Sequence, residues 1–314
     1  MRSVRIGVDT GGTFTDVVAV DEQTGEITTT KTPSTPADPA DGFMEGVGKV
    51  LVKAGAAAVS AVVHGTTVAT NQLLEDRVAD LGFVTTEGFE FILEIARQSV
   101  PDGYGNSYFW VKPPRIVPVH RVRTVGGRLD HTGAEVRPFD EEQAVAVARW
   151  FRERGITAIG VCFLHSYANP RHEVRMREIL GREHPDAVVS ISSDVLREYR
   201  EYERSVTTLV DAAVKPTMRR YLAALSERLE RLSRAPEPSG APGVPETAGA
   251  QGRSAAQSPA AGRSLPFSVM KSNGGVLSAA EVVHQPITTV LSGPAAGALG
   301  AALIASTAGH PSVI

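Results

Sequence analysis

Between residues 9 and 16 the chain reads Asp9-Thr10-Gly11-Gly12-Thr13-Phe14-Thr15-Asp16, with an apolar segment on either side. A phosphate chain needs backbone N–H groups turned towards it at close range, and glycine permits both the torsions and the approach. In this reading Gly11 and Gly12 supply that freedom, and Thr10, Thr13 and Thr15 add hydroxyl donors. Asp9, ending the first apolar segment, is the metal candidate, because a carboxylate there can hold the waters of a Mg2+ ion bridging phosphates. The Lys-Ser/Thr of a Walker loop and the Gly-x-Gly-x-x-Gly dinucleotide fingerprint are both missing. The run therefore predicts a phosphate-cradling hairpin over residues 9–16, set against the plainer alternative of an ordinary tight turn.

A second group, His64-Gly65-Thr66-Thr67, stands where a strand is expected to give way to a helix. Its hydroxyls and the free N–H groups of a helix start suit an anion or a polarised carbonyl. Equally, Thr66 or Thr67 is a plain N-cap. His120, His131, His165, His172 and His184 form no metal-ligand spacing and are expected at surface or loop positions. The single cysteine, Cys162, lies in an apolar run and reads as a small core residue, which leaves no intrachain disulfide and favours a reducing compartment such as the cytoplasm.

The elements that must position these groups alternate. Residues 4–8, 17–20 and 26–31 predict a three-stranded antiparallel meander, followed by a helix over 42–56. Strands are expected at 60–63, 79–85 and 158–163, and helices through 74 and over 88–97, 140–154 and 171–183. Residues 100–118 read as an irregular loop. This alternation is that of an α/β protein. Residues 196–232 predict a long helix interrupted at Pro216, on which Arg197 with Glu201 and Arg200 with Glu203 form a solvated charged face. Residues 233–264, mostly Ala, Pro, Gly and Ser, predict a disordered insertion. A strand at 267–271, a turn at 272–275 and a helix over 278–284 follow. The small residues from Ser292 to Ala302 predict a helix packed closely on another.

With 314 residues, 42% hydrophobic and 21% charged, the chain has the composition of a soluble globular protein of about two domains. A net charge of −3 gives no basic footprint for nucleic acid, and no apolar run approaches the ~18 residues of a membrane span. Met1 to Arg5 leads straight into a strand without a signal-peptide pattern.

Gly7-Val8-Asp9-Thr10-Gly11-Gly12-Thr13-Phe14-Thr15-Asp16 resembles the first phosphate motif of the actin, sugar-kinase and heat-shock-chaperone superfamily, and more narrowly the opening of the hydantoinase/oxoprolinase family. Residues 64–71, Thr86 to Phe89, Arg200 to Arg204, Ser272 to Gly275 and Leu291 to Gly297 carry the same resemblance along nearly the whole chain. It is loose at Gln98 to Trp110 and absent over 233–264. The resemblance implies a ribonuclease H-like (actin-like ATPase) lobe that opens with a hairpin meander and carries an inserted α/β region. It divides the chain into an N-terminal α/β domain over 1–195, a helical segment over 196–232, the insertion, and over 265–314 the start of a core domain whose second ATPase lobe is absent. It further implies ATP and Mg2+ as cofactors, bound by residues 9–16, with His64, Thr66 and Thr67 in the cleft and His64 an acid/base or orienting group. The implied reaction is ATP-dependent opening of a cyclic amide or imide such as a hydantoin or 5-oxoproline, with a B-type companion subunit. A ketone carboxylase subunit and a noncatalytic nucleotide-binding module are the competing readings. On this resemblance the opposing phosphate hairpin and purine pocket would follow Ile314, so the chain alone is expected to bind nucleotide weakly and not to turn it over.

Overall fold

A computed structural model describes residues 2–56, 58–75, 80–98, 111–234, 265–310 and 312. The chain opens with β1 (Ser3–Thr10), β2 (Phe14–Asp21), β3 (Ile27–Pro33), α1 (Pro39–Ala54) and β4 (Ala58–Thr66). Next come α2 (Val68–Leu74), β5 (Leu81–Thr86), α3 (Ile92–Ile95), β6 (Val122–Val125), β7 (Arg128–Leu129) and β8 (Glu135–Arg137). Then follow α4 (Glu141–Glu153), β9 (Ala158–Cys162), α5 (Arg171–Glu183), β10 (Val188–Ile191), α6 (Ser192–Val195) and α7 (Glu201–Arg234). The last elements are β11 (Phe267–Met270), β12 (Val276–Ser278), α8 (Ala279–Val282) and α9 (Ser292–Thr307). They form two compact units, residues 1–65 with 222–269 and residues 66–221 with 270–314.

In the first unit the strands run in the order β11-β4-β1-β2-β3. Strand alternation sorts the meander into two faces. Val4, Ile6, Val8 and Thr10 of β1 and Thr15, Val17, Ala19 and Asp21 of β2 are buried. Helix α1 covers that face with Phe43, Val47 and Val50, each fully buried and each contributing about 1.5–3 kcal/mol by leaving water. It starts where Asp38 accepts the Ala40 N–H ahead of Pro39, and stops at Gly55, whose φ of 59° is left-handed. Arg228, in the carboxyl-terminal half of α7, bridges Asp38 at 2.8 Å and Asp41 at 2.6 Å and so ties that helix to the start of α1. Parallel β11 pairs Phe267 with Val62 and Val269 with His64.

The second unit holds a parallel sheet in the order β10-β9-β5-β6. Every residue of β5 and β9 is buried, as expected of parallel strands covered on both faces. Ala148 and Phe151 of α4 and Met176, Ile179 and Leu180 of α5 form a core with β9 and β10, while Leu209, Ala212 and Ala213 of α7 close a second one over Leu81, Phe83 and Cys162.

Several elements differ from the sequence expectations. The helix expected over 88–97 shrinks to Ile92–Ile95, between Gly88 at φ 84° and the left-handed Ala96 at φ 51°. Strands β6, β7, β8 and β10, of two to four residues, were not expected, being too short for a periodicity to register. Pro216 lies inside α7 and starts no new helix, and Ser233 and Arg234 still belong to α7. Residues 235–264 and 99–110 lie outside the described residues. His172 and His184 are buried rather than exposed: His172 Nε2 is 2.7 Å from Glu135 Oε1 and His184 Nε2 donates to the Ile156 carbonyl at 3.0 Å. Helix α9 does not bury its small-residue face; from Gly297 onward its residues are exposed apart from the half-buried Ala305. Among the described residues no helix is long and apolar enough to cross a membrane.

Candidate functional site

The register of the meander lines up three charged residues. Asp9 pairs with Asp16 across β1 and β2, and Asp16 with Lys31 across β2 and β3, all on the face opposite α1. Lys31 Nζ is 3.2 Å from Asp16 Oδ1, whereas Asp9 meets Asp16 as a like charge. Partial desolvation, and then the Asp16 charge, hold the Asp9 carboxyl above the usual aspartate range. Perturbed carboxylates of this kind are concentrated at functional sites.

Gly12, Thr13 and Phe14 are exposed at the hairpin tip, and the Lys31 ammonium stands 5.1 Å from the centre of the Phe14 ring. The turn is closed from within: Gly11 N–H donates to Phe14 O at 3.0 Å, and Ser34 N–H donates to Thr13 O at 2.9 Å. Ser34 Oγ donates to Gly11 O at 2.8 Å and lies 3.0 Å from Thr15 Oγ1. Two details differ from the sequence reading. Neither Gly11 nor Gly12 is among the described glycines with positive φ, so the tip does not use left-handed torsions. What Gly11 allows is proximity, since a Cβ there would stand 3.1 Å from Phe14 O. Thr10 and Thr15 are buried, and the Thr15 hydroxyl braces the turn through Ser34 instead of facing outward. Ser34 and Lys31 were not singled out in the sequence; Ser34 follows the third strand without any motif to mark it.

His64 lies inside β4, not after it, and is fully buried. Its ring meets Phe43 edge-on at 5.0 Å between centroids and stacks on Phe267 at 6.3 Å, and Nδ1 donates to the Val8 carbonyl at 3.2 Å. Burial pushes the imidazole down to about 4 against the opposing pull of that hydrogen bond, so it is neutral at pH 7. A ring so enclosed is out of reach of a solvent-borne substrate; it fixes β4 against β1, two residues before that strand's end at Thr10.

Thr66 and Thr67 open the second unit. Thr66 is buried, and its Oγ1 accepts the Val68 N–H at 3.2 Å, so part of the free N–H capacity expected at this helix start is already taken. Thr67, half-buried, is the N-cap residue of α2 but makes no side-chain cap bond; its Oγ1 accepts from Asn71 Nδ2 at 3.2 Å. Thr70 Oγ1 accepts the Leu291 N–H at 3.0 Å and Ser292 Oγ donates to Thr66 O at 3.4 Å, so the motif at 64–71 and the motif at 291–297 meet. Leu291 has a left-handed φ of 62°, which a branched side chain adopts only where its surroundings impose it.

Arg204 and Glu173 are among the buried charges that escaped the sequence reading. Arg204 is fully buried: Nη2 donates to Phe163 O at 2.5 Å, Nη1 to Glu198 O at 3.1 Å and Nε to Cys162 Sγ at 3.3 Å. Glu173, also fully buried, accepts from Phe163 N, Ser166 Oγ, Ser192 Oγ and Ser193 N at 2.6–2.9 Å. Its position with Met176 and Leu180 on the apolar stripe of α5 was the available signal. The charged face expected from Arg197 with Glu201 and Arg200 with Glu203 is not formed, because α7 starts only at Glu201; Glu203 pairs with Arg97 instead.

This mixed α/β architecture is shared with ATP-dependent enzymes. The nucleotide-free structure of acetone carboxylase, from work on ATP-dependent acetone carboxylation, superposes with a TM-score of 0.80 at 25% identity, covering 98% of this chain and 41% of that one. The chain belongs to the hydantoinase/oxoprolinase family, whose N-terminal region matches residues 5–184 and whose following region matches residues 204–314. Caprolactamase subunit alpha of Pseudomonas jessenii is 31% identical over all of this chain and 42% of its own length, and the structure of that ATP-dependent caprolactamase superposes with a TM-score of 0.76 at 29% identity, covering 97% of this chain and 41% of that one. The acetophenone carboxylase gamma subunit of Aromatoleum aromaticum is 30% identical over 98% of this chain and 40% of its own length. The chain thus spans about two fifths of the length of these relatives.

Proposed function

We propose that this chain carries a phosphate-binding hairpin of an enzyme that uses ATP to open a cyclic amide or imide, such as a hydantoin or 5-oxoproline. The observation that carries the reading is the exposed tip at Gly12 and Thr13 beside Asp9, a carboxylate held above its usual pKa. Transfer of the γ-phosphoryl group to the amide oxygen, with ADP leaving, makes the ring carbon a better electrophile. Water then adds at that carbon, the ring nitrogen leaves with a proton as the C–N bond breaks, and a second water hydrolyses the resulting acyl phosphate to the carboxylate and inorganic phosphate.

The residues present fit Mg2+, a hard cation that keeps several waters and takes one or two carboxylates besides phosphate oxygens. Asp9 supplies one such carboxylate, and Asp16, its cross-strand partner bridged to Lys31, lies beside it. Bound there, the ion would neutralise charge on the phosphates. Thr10 to Thr15 shape the cradle, with Thr13 and the tip backbone facing the phosphates and Thr15 bracing them through Ser34. His64 is a positioning residue for β1 in this scheme, and Thr67 is the half-buried member of its group.

The similarity to acetone carboxylase favours a second reading, a subunit of an ATP-dependent ketone carboxylase. Both use the same hairpin chemistry. The test is made on a complete homologous enzyme of the family with its companion subunit, substituted at the positions matching Asp9 and Gly12 and supplied with Mg-ATP, once with hydantoin or 5-oxoproline and once with a ketone and labelled bicarbonate. Ring opening coupled to phosphate release, lost in Asp9→Ala and Gly12→Val, is the expected result. Label fixation without ring opening moves the assignment to the carboxylase, and turnover unchanged in both variants overturns the hairpin assignment.

A further inference from the structure

In the second unit a cavity of about 430 Å3 is lined by four basic side chains, Arg177, Arg197, Lys215 and Arg219, together with Ser193 and Asp194. Two carboxylates answer them. Arg177 Nη1 is 2.6 Å from Asp194 Oδ2, and Lys215 Nζ is 3.1 Å from Asp211 Oδ2. Asp211 has nothing further to give: Oδ2 also accepts from Ser190 Oγ at 2.7 Å, and Oδ1 accepts the Ile287 N–H at 3.1 Å. Four cations against two carboxylates leave an excess of two positive charges, those of Arg197 and Arg219, neither of which has an ion-pair partner among the described residues.

The polar atoms turned into this space are also unsatisfied. Ser193 is 1% exposed, yet its Oγ has no hydrogen-bond partner, and Arg219 Nε is likewise buried and unpartnered. A buried donor left unpaired gives up its hydration with nothing in return, so two such atoms beside one cavity need a reason. Arg197 uses Nε on the Ser193 carbonyl at 2.8 Å, which fixes the guanidinium at the cavity while its remaining donors stay available. Burial depresses the Lys215 ammonium below its usual pKa, and the neighbouring Arg219 charge acts in the same direction.

We propose that this cavity binds a tetrahedral oxyanion, inorganic phosphate or the phosphate of a small monoester. A phosphate dianion matches the excess of two charges, guanidinium groups grip its oxygens in pairs, and the Ser193 hydroxyl gains an acceptor. A monocarboxylate would leave one charge unmatched. None of these residues takes part in the reaction proposed above, so the two assignments stand or fall separately.

Calorimetric titration of the chain with inorganic phosphate, with glycerol 3-phosphate and with succinate tests the assignment. Phosphate or its ester is expected to bind saturably at one site, the tighter of the two naming the ligand's source. Arg219→Gln and the exposed Arg197→Gln are each expected to weaken binding about tenfold or more. Gly12→Val, at the hairpin, is expected to leave it unchanged. Circular dichroism verifies folding of each variant, and Arg197→Gln reads the site alone if Arg219→Gln does not fold. Absence of saturation, indifference to both arginine substitutions, loss of binding in Gly12→Val, or succinate binding as tightly as phosphate overturns the proposal.

Discussion

The carboxylate of Asp9 lies against the backbone of Gly65: a Cβ built on Gly65 would stand 3.1 Å from Asp9 Oδ1. Gly65 follows His64 in β4, whose ring holds the Val8 carbonyl, so consecutive residues of one strand contact Val8 and Asp9 of its neighbour from opposite faces of the sheet. The position of the proposed metal carboxylate is thus set from β4 as well as from the hairpin.

Gly65→Ala is expected to move Asp9 by a few tenths of an ångström and to place a methyl group beside its carboxylate. Displacements of that size lower catalysis without unfolding a chain. In a complete homologous enzyme the expected outcome is an ATP-dependent turnover lower by about tenfold, equivalent to ~1.4 kcal/mol, with an unchanged far-ultraviolet spectrum. Wild-type turnover in Gly65→Ala would show that the Asp9 position is not critical.

Asp9→Asn is expected to stabilise the chain in the absence of metal. Because the folded-state pKa of Asp9 is raised, the folded form favours the protonated acid, and stability falls as pH rises through the folded value. At neutral pH the ionised carboxylate therefore strains the fold, and a neutral amide of the same shape relieves the strain. Thermal melts at pH 7 check this, and the gain over wild type should vanish in acid. Added Mg2+ should stabilise the wild type more than Asp9→Asn.

Much of the fold was legible because hydrophobic period and strand alternation act locally. The meander follows from three alternating runs joined by turn residues, α1 and α4 from longer helical patterns, and α5 spans Arg171–Glu183 as the sequence predicted. Short strands such as β6 and β10 exist only because neighbouring strands and helices bury them, which no local pattern records. At the hairpin the residue types were legible but their directions were not. Whether Thr15 faces a ligand or Ser34 depends on a partner 19 residues away. Arg204 was hidden for a similar reason: a charge in a motif gives no sign that the carbonyls of Phe163 and Glu198 enclose it.

Arg204→Met is expected to destabilise the second unit by about 2–4 kcal/mol, because it strips buried carbonyls of their donors. Arg204→Lys should restore little, since one ammonium on a flexible stem does not reproduce a planar fork spanning Phe163 O, Glu198 O and Cys162 Sγ. Urea unfolding followed by circular dichroism gives the comparison. A lysine variant as stable as the wild type would mean that charge alone, without the fork geometry, satisfies the site.

His64 should make stability depend on pH in a defined window. Its folded-state pKa is pushed down to about 4 by burial, while an unfolded histidine titrates near ~6.5. Above the unfolded value both states are neutral, and burial of the ring adds its full contribution. As pH falls below it, the unfolded chain takes up a proton that the folded chain refuses until about 4, so stability declines across that interval. The total loss is about 3 kcal/mol on the scale of 1.36 kcal/mol per pKa unit. His64→Asn retains an amide that can donate to the Val8 carbonyl but cannot titrate. It should therefore start from a lower stability, because the contacts with Phe43 and Phe267 shrink, and show a flatter profile between pH 6.5 and 4. The same variant separates positioning from proton transfer. With His64 acting through β4, turnover of a complete homologous enzyme carrying His64→Asn falls while the pH profile of the remaining activity keeps the wild-type shape. Loss of one limb of that profile, with an unaltered stability curve, would instead make His64 a proton-transferring group that opens to solvent.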